Sequence, residues 1–255
     1  MNSQGNTTGP SITAIASGKG GVGKTFLTAN LACCLVKTGK KVLVVDCDLG
    51  LANMDILLGL SPGLTLQDVI FEERDINDVI IPTSAGFDFL PASSGVKEMG
   101  QLIYEKLQTI KETINTVVPK YDNVLLDTGA GISEVVLQFN LFAPKNVIVL
   151  NKEPTSMTDA YAVIKVMHQR FQTKSFGIVI NSVENENEAH RLFEHMDQVC
   201  KNFLSLPLYY LGHIIKHDTI SRSIINQRIL VQEVPDCIVG HNCRNIAEAI
   251  TNWKP

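Results

Sequence analysis

Nowhere in the sequence do about 18 apolar residues run together, so no segment is suited to cross a membrane as a single helix. Cys-x-x-Cys is also missing: the six cysteines stand at Cys33, Cys34, Cys47, Cys200, Cys237 and Cys243. That spacing argues against zinc ribbons and redox dithiols and predicts reduced, mostly buried thiols. Cys237, His241 and Cys243 lie close together but lack a fourth ligand, and read as a loop ahead of a helix. His168, His190, His195, His213, His217 and His241 form no recognisable ligand set. Basic charge is short: 22 Lys and Arg stand against 26 Asp and Glu, a net charge of -4. This argues against a nucleic-acid binder held by general basic charge, and Arg191, Arg222, Arg228 and Arg244 are too scattered to make a DNA surface. Residues 1–11 carry no charged side chain and lack the basic start and apolar stretch of a secretory signal. They are expected to be a flexible tail on a cytoplasmic protein. With no internal repeat, low-complexity run or linker, the 255 residues suit one large domain.

What is present is an alternation of short β-branched runs and longer amphipathic stretches. Residues 12–17, 41–46, 87–90, 123–127, 146–150, 176–181 and 208–212 read as strands. Several are continuously apolar, as parallel strands covered on both faces are. Residues 24–38 read as a helix. Leu102, Ile103, Leu107, Ile110, Ile114 and Val117 form an apolar stripe at helical spacing, and Ala160, Val163, Ile164, Met167 and Phe171 form another. Residues 185–203 are more polar and predict a surface helix. A last helix is expected at about 243–253, with Ile246, Ala247, Ala249, Ile250 and Trp253 on its apolar side. Such alternation predicts a doubly wound, mainly parallel α/β sheet in a single domain of residues 12–255.

The segment Gly18-Lys19-Gly20-Gly21-Val22-Gly23-Lys24-Thr25 fits the phosphate-loop pattern G-x-x-x-x-G-K-[ST], between an apolar strand and a helix. Each residue type has a reason to be there. Glycines let backbone N–H groups turn inward and approach phosphate oxygens. The helix starting near Lys24 aims its positive dipole end at them. Lys24 is placed to reach the β- and γ-phosphates, and the Thr25 hydroxyl to bind Mg²⁺. Magnesium keeps several waters, so few protein ligands suffice. Carboxylates follow two apolar strands: Asp127 after Asn-Val-Leu-Leu, and Asp46 and Asp48 at the end of Val-Leu-Val-Val-Asp. A single aspartate after a strand is most often a turn or cap. Three of them beside a phosphate loop predict a magnesium and water site. The following Thr128-Gly129-Ala130-Gly131 is expected to bend around the γ-phosphate.

Lys19, inside Lys-Gly-Gly-Val-Gly-Lys-Thr, resembles the signature lysine of the deviant Walker A motif in the MinD/ParA ATPases. The run Asp46-Cys47-Asp48-Leu49-Gly50-Leu51-Ala52-Asn53-Met54-Asp55 resembles their switch I, and Asp127-Thr128-Gly129-Ala130-Gly131-Ile132 their Walker B and switch II. The continuation of the first run to Leu60, and Glu153-Pro154-Thr155-Ser156-Met157-Thr158-Asp159-Ala160-Tyr161, are similar to the flagellar-number branch called FlhG, FleN or YlxH.

The resemblance implies ATP held between two face-to-face copies, with Lys19 of one copy reaching the phosphates of the other. It implies that Asp48 positions the attacking water, that Asp46 and Asp127 hold the magnesium hydration shell, and that Asn181 contacts adenine. Phe26 stands where MinD commonly has a second threonine. Implied partners are a second copy of the chain, flagellar regulators or basal-body proteins, an FlhF-type GTPase, and the inner membrane surface in the ATP-bound state. The Asp-Gln-Ala-x-x-Leu-Arg motif with which many flagellar members stimulate that GTPase has no counterpart in residues 1–11. The last helix has only Arg244 and Lys254 as basic residues, a poor basic face for a membrane. Other functions compatible with the motifs are division-site or DNA positioning, iron–sulfur cluster carriage, and a small-molecule ligase or kinase. Cluster carriage needs bridging cysteines.

Overall fold

The computed structural model describes residues 9–50, 52–92 and 100–254. The chain runs β1 (Ser11–Ser17), α1 (Lys24–Lys37), β2 (Val42–Cys47), α2 (Met54–Leu58), α3 (Leu66–Phe71), α4 (Ile76–Val79), β3 (Ile81–Pro82), β4 (Asp88–Leu90), α5 (Gly100–Val117) and β5 (Asn123–Ala130). It continues as α6 (Glu134–Phe142), β6 (Lys145–Asn151), α7 (Pro154–Phe171), β7 (Gly177–Val183), α8 (Glu186–Leu204), β8 (Tyr209–Ile215), α9 (Asp218–Ile225), α10 (Leu230–Glu233) and α11 (Ile238–Asn252).

Among the described residues the strands form one sheet in the order β3-β4-β2-β5-β1-β6-β7-β8. Every neighbouring pair is parallel except β3 with β4. One face, through Ile15, Val44, Leu125, Val147 and Val179, packs on α1, α10 and α11. The other face divides in two. Leu43, Val45, Val124 and Leu126 meet α5 and α6, while Ile148, Leu150, Ile178 and Ile180 meet α7 and α8. Apolar contact on both faces explains why these strands are continuously hydrophobic rather than alternating. The doubly wound, mainly parallel fold is as expected.

Several boundaries differ from expectation, each for a local reason. Ser11 is not tail: it opens β1, pairs with Asn123, and donates its N–H to the Asp122 carbonyl at 3.0 Å. Residues 1–8 of the expected tail lie outside the described residues. β3 escaped notice because it is two residues long and contains Pro82, which cannot donate to a ladder. In α5, Leu107, Ile110, Ile114 and Val117 are buried as the stripe predicts, while the side chains of Leu102 and Ile103 lie outside the described residues. The polar α8 is amphipathic rather than purely superficial, burying Ala189, Met196, Cys200 and Leu204.

α11 begins at Ile238, five residues ahead of the expected start, because the Cys237 side chain caps it: Sγ accepts the Gly240 N–H at 3.3 Å. His241 and Cys243 therefore stand on the helix itself and not in a preceding loop. Ile246, Ala247, Ile250 and Trp253 are all buried, between 0% and 7% exposed. They close the core against α1 and β8. Each buried aliphatic side chain contributes roughly 1.5–3 kcal/mol, so presenting that stripe to a lipid surface would sacrifice core packing. No helix among the described residues is long and apolar enough to cross a membrane.

Candidate functional site

β1 lies between β5 and β6, and the chain leaves it toward β2 on one side and returns from β5 to β6 past its other side. In such a sheet the crevice beyond the strand ends opens at this reversal of order. The phosphate loop occupies that position, joining the end of β1 to the start of α1.

Two of its glycines hold backbone conformations that side chains disfavour, Gly21 at φ 76° and Gly23 at φ 95°. Gly23 precedes α1 and, as a glycine, provides no side-chain cap for the helix's first turn. The first N–H groups of a helix have no partner within the helix and are suited to an anion. On the open side, a Cβ added to Gly20 or Gly21 would meet nothing within 4 Å. On the packed side there is no such room. A Cβ on Gly18 would lie 2.1 Å from the Asp159 carbonyl carbon of α7. One on Gly23 would lie 2.3 Å from Asn181 Nδ2, which donates to the Val22 carbonyl at 2.6 Å. Asn181, expected at adenine, here braces the loop from the end of β7. Val22 and Phe26 are 3% and 5% exposed and pack in the core, leaving only their backbone to a nucleotide.

Lys24 is 9% exposed. Its Nζ donates to Ser17 Oγ at 2.9 Å, and Ser17 Oγ donates to the Lys19 carbonyl at 2.7 Å. Burial pushes the lysine pKa down, against the pull of Asp127 and Asp48. Ser17 joins Lys24 to the loop backbone, a contact that the motif does not announce. Its only sequence signal is a hydroxyl ending an apolar strand directly before Gly18.

The carboxylates converge as expected. Asp46 of β2 and Asp127 of β5 face each other in register on adjacent strands, 1% and 3% exposed. Asp46 accepts N–H groups of Asp48 at 3.0 Å and Met54 at 3.4 Å. Asp127 accepts the Thr28 hydroxyl at 3.2 Å and the Thr25 hydroxyl. Thr28, one turn beyond Lys24, lies outside the phosphate-loop pattern. Burial raises the Asp46 pKa to about 8, with Asp127 adding to the shift. Burial raises Asp127 to about 6, moderated by its bond from Thr25 and by Lys24. Asp48 sits across from Gly129, its carboxyl carbon 3.5 Å from where a Cβ there would stand.

The segment after Asp127 does not bend at once. Thr128 and Gly129 continue β5 to Ala130, because Thr128 Oγ1 donates to the Ile15 carbonyl at 3.1 Å and the strand pairing with β1 persists. The turn comes at Gly131, φ 95°, whose N–H donates to the Ser17 carbonyl at 2.9 Å.

Lys19 takes a different direction from Lys24. Its ammonium donates to Glu153 Oε2 and, at 3.1 Å, to Thr155 Oγ1, both at the start of α7. This side chain is 37% exposed. Leu51 of the switch I run lies outside the described residues.

A hydroxyl and two buried carboxylates are hard oxygen donors of the kind magnesium takes. Among the described residues no group of three or more His, Cys, Asp or Glu side chains is placed to hold a metal alone. A magnesium ion here would complete its shell with water and phosphate. Residues 13–231 match the CobQ/CobB/MinD/ParA nucleotide binding domain. The chain belongs to this family. MinD/ParA nucleotide-binding proteins similar to it include the antiactivator FleN of Pseudomonas aeruginosa, 33% identical over 95% of this chain and 86% of that protein. The flagellum site-determining protein YlxH of Helicobacter pylori is 32% identical over 97% of this chain and 83% of that protein. Among solved structures, the septum site-determining protein MinD of Pyrococcus horikoshii, complexed with Mg-ADP, superposes with a TM-score of 0.78. It is 27% identical and covers 95% of this chain and 96% of that one. The chain is thus a MinD/ParA-type ATPase that takes ATP and Mg²⁺.

If the carboxylate pair holds the magnesium or its waters, binding is expected to depend on pH. Asp46 and Asp127 have raised pKa values, so without metal their contribution to stability is full below about pH 4 and is lost as pH rises through 6 to 8. A cation reverses the preference, because it needs them ionised. Binding of Mg²⁺ with nucleotide at pH 7 is therefore expected to release about one proton, and to tighten between pH 6 and 8. Calorimetry in two buffers of different ionisation enthalpy measures this release. Identical heats in both would remove the pair from the metal site.

Proposed function

We propose that the protein is an ATP-driven switch that pairs with a second copy of itself and regulates flagellar number or placement through a protein partner. The observation that carries the reading is the division of labour between two lysines on one loop. Lys24 is buried in its own crevice, on Ser17. Lys19 leaves that crevice for a partly exposed position where a second molecule can meet it.

In this reading the loop N–H groups and Lys24 bind the β- and γ-phosphates. Thr25 takes the magnesium directly, and Asp46 and Asp127 hold its waters. Asp48, on the loop after β2, orients the attacking water. Lys19 neutralises phosphate charge in the opposite copy, so pairing is favoured only when triphosphate is bound. Asn181 supports the loop and lies beside the adenine position. Hydrolysis, slow alone and hastened by the partner, returns the protein to single copies. The flagellar role is supported by similarity to FleN and YlxH along nearly the whole chain. Partners of the expected kind are flagellar regulators, basal-body proteins or an FlhF-type GTPase.

The competing reading of cluster carriage finds little support in the cysteines. Five of the six are buried, and Cys237, the sixth, is partly buried as the cap of α11.

Size exclusion with light scattering tests the switch. Asp48→Ala is expected to run as a dimer with ATP and a monomer with ADP. Lys19→Ala should remain monomeric with ATP while still binding it. A monomer in every state would sink the switch, and an ATP-dependent dimer of Lys19→Ala would remove Lys19 from its role.

A further inference from the structure

Lys19 and Glu153 are 134 positions apart in the chain, yet their side chains are paired. Glu153 is the residue immediately before α7, and its N–H donates to Asn151 Oδ1 at 3.1 Å, which orients the turn. Thr155, on the first turn of α7, adds the second acceptor for the same ammonium. α7 packs closely on the loop at this position. Its Asp159 backbone lies so close to Gly18 that a side chain there would collide with it. Ser156 Oγ accepts the Asn151 N–H at 3.1 Å, fastening the start of α7 to the end of β6. The acceptors thus form a cradle set on a helix start bonded to β6 and packed on the loop, while Lys19 reaches them with a long, partly exposed side chain.

We propose that Glu153 and Thr155 are positioning residues that hold Lys19 off the nucleotide crevice in the free protein, so that triphosphate and a second copy must compete for it. The proposal rests on the pairing role given to Lys19 above. Glu153 is a carboxylate held below its usual range by the Lys19 ammonium, so at neutral pH it is fully charged. A carboxylate and a phosphate present the same chemistry to an ammonium, and only one can have it at a time. The triphosphate carries more charge than one carboxylate, so with ATP bound the balance turns. A diphosphate offers less, and Lys19 goes back to α7. The cradle thus adds a threshold to pairing and sharpens the difference between ATP and ADP. Because the pair is partly solvent-exposed, it is modest in strength and weakened by salt.

The test compares Glu153→Gln, Thr155→Ser and wild type in the Asp48→Ala background, with dimer dissociation constants measured by light scattering in saturating Mg-ATP. Two cradles open per dimer, so Glu153→Gln is expected to tighten the dimer by about 2- to 30-fold at low ionic strength. The gain should shrink as salt is raised. Thr155→Ser keeps the hydroxyl and should match the parent. Glu184→Gln removes the same charge from the exposed pair with Lys152, and is expected to leave dimerisation unchanged. Equal or weaker dimerisation of Glu153→Gln, or an equal gain from Glu184→Gln, would overturn the cradle. If the Asp48→Ala parent fails to dimerise with ATP, the pairing reading itself is wrong, and the two failures are thereby told apart.

Discussion

Replacing Lys24 by alanine is expected to weaken ATP binding by about 100-fold or more while leaving the free protein folded. The lysine sits in a crevice where its charge is poorly solvated, 9% exposed with Ser17 as hydrogen-bond partner. Burial already lowers its pKa. A phosphate that arrives there finds a cation stripped of most of its water, and such charge-assisted bonds are the strong ones. Losing it leaves the loop N–H groups as donors but leaves the Asp46, Asp48 and Asp127 carboxylates facing triphosphate without a neutralising ammonium. Arginine should not rescue, because a planar guanidinium does not reproduce the compact ammonium that Lys24 places on Ser17. The free protein has less to lose: a buried cation is removed together with its desolvation cost, and Ser17 keeps its bond to the Lys19 carbonyl. Titration calorimetry measures the affinity and a melting curve without nucleotide checks the fold. An affinity within about threefold of wild type would overturn the assignment of the crevice.

The central strands and the phosphate loop were legible because both obey strict local rules. Continuous apolar runs mark strands buried on two faces, and glycine, lysine and threonine at fixed spacing mark a loop whose shape the backbone itself must adopt. Asp46 and Asp127 were found for the same reason: each lies on an apolar strand whose end can only reach the crevice. What escaped depended on distance or on unusual chemistry. Nothing near Glu153 says that it meets Lys19, since the two come together only when α7 docks on Gly18. The start of α11 was misplaced because a cysteine, not the commoner serine or aspartate, caps it. The continuation of β5 past Asp127 was hidden by Gly129, which favours neither strand nor turn until Thr128 fixes it to β1. Short elements such as α2, α3 and α4 carry too few residues for periodicity to show.

The local bonds also show why the site holds its shape before nucleotide arrives. Ser17 joins Lys24 to the Lys19 carbonyl, Gly131 joins the end of β5 to the end of β1, and Asn181 joins β7 to Val22. Three strands thus grip one loop. Asp46 uses its carboxylate to hold the N–H groups of Asp48 and Met54, so the start of the switch I run is tied to the carboxylate proposed to hold the magnesium waters. A change in that carboxylate's environment is felt directly by Asp48.

Substituting alanine for Gly18 should destabilise the fold by about 2–4 kcal/mol, the largest stability loss expected from a change in the loop. The new Cβ would stand 2.1 Å and 2.2 Å from the carbonyl carbon and oxygen of Asp159. These are backbone atoms inside α7, so no side-chain rotation relieves the overlap. Either α7 or the loop must move. α7 is pinned on the sheet by Ala160, Val163, Ile164 and Met167, all fully buried, so part of that packing has to yield. For a domain of this size the loss corresponds to a melting temperature lower by roughly 5–15 °C. Gly20→Ala is the control in the same loop. Its Cβ meets nothing within 4 Å, and the melting temperature without nucleotide should stay within about 2 °C of wild type. Because that open side is where phosphate is proposed to lie, Gly20→Ala should weaken ATP binding despite its unchanged stability. The two variants therefore separate the packed side of the loop from its ligand side. Equal melting temperatures for both would mean that α7 does not rest on Gly18, and would remove the structural support from the Glu153 cradle as well.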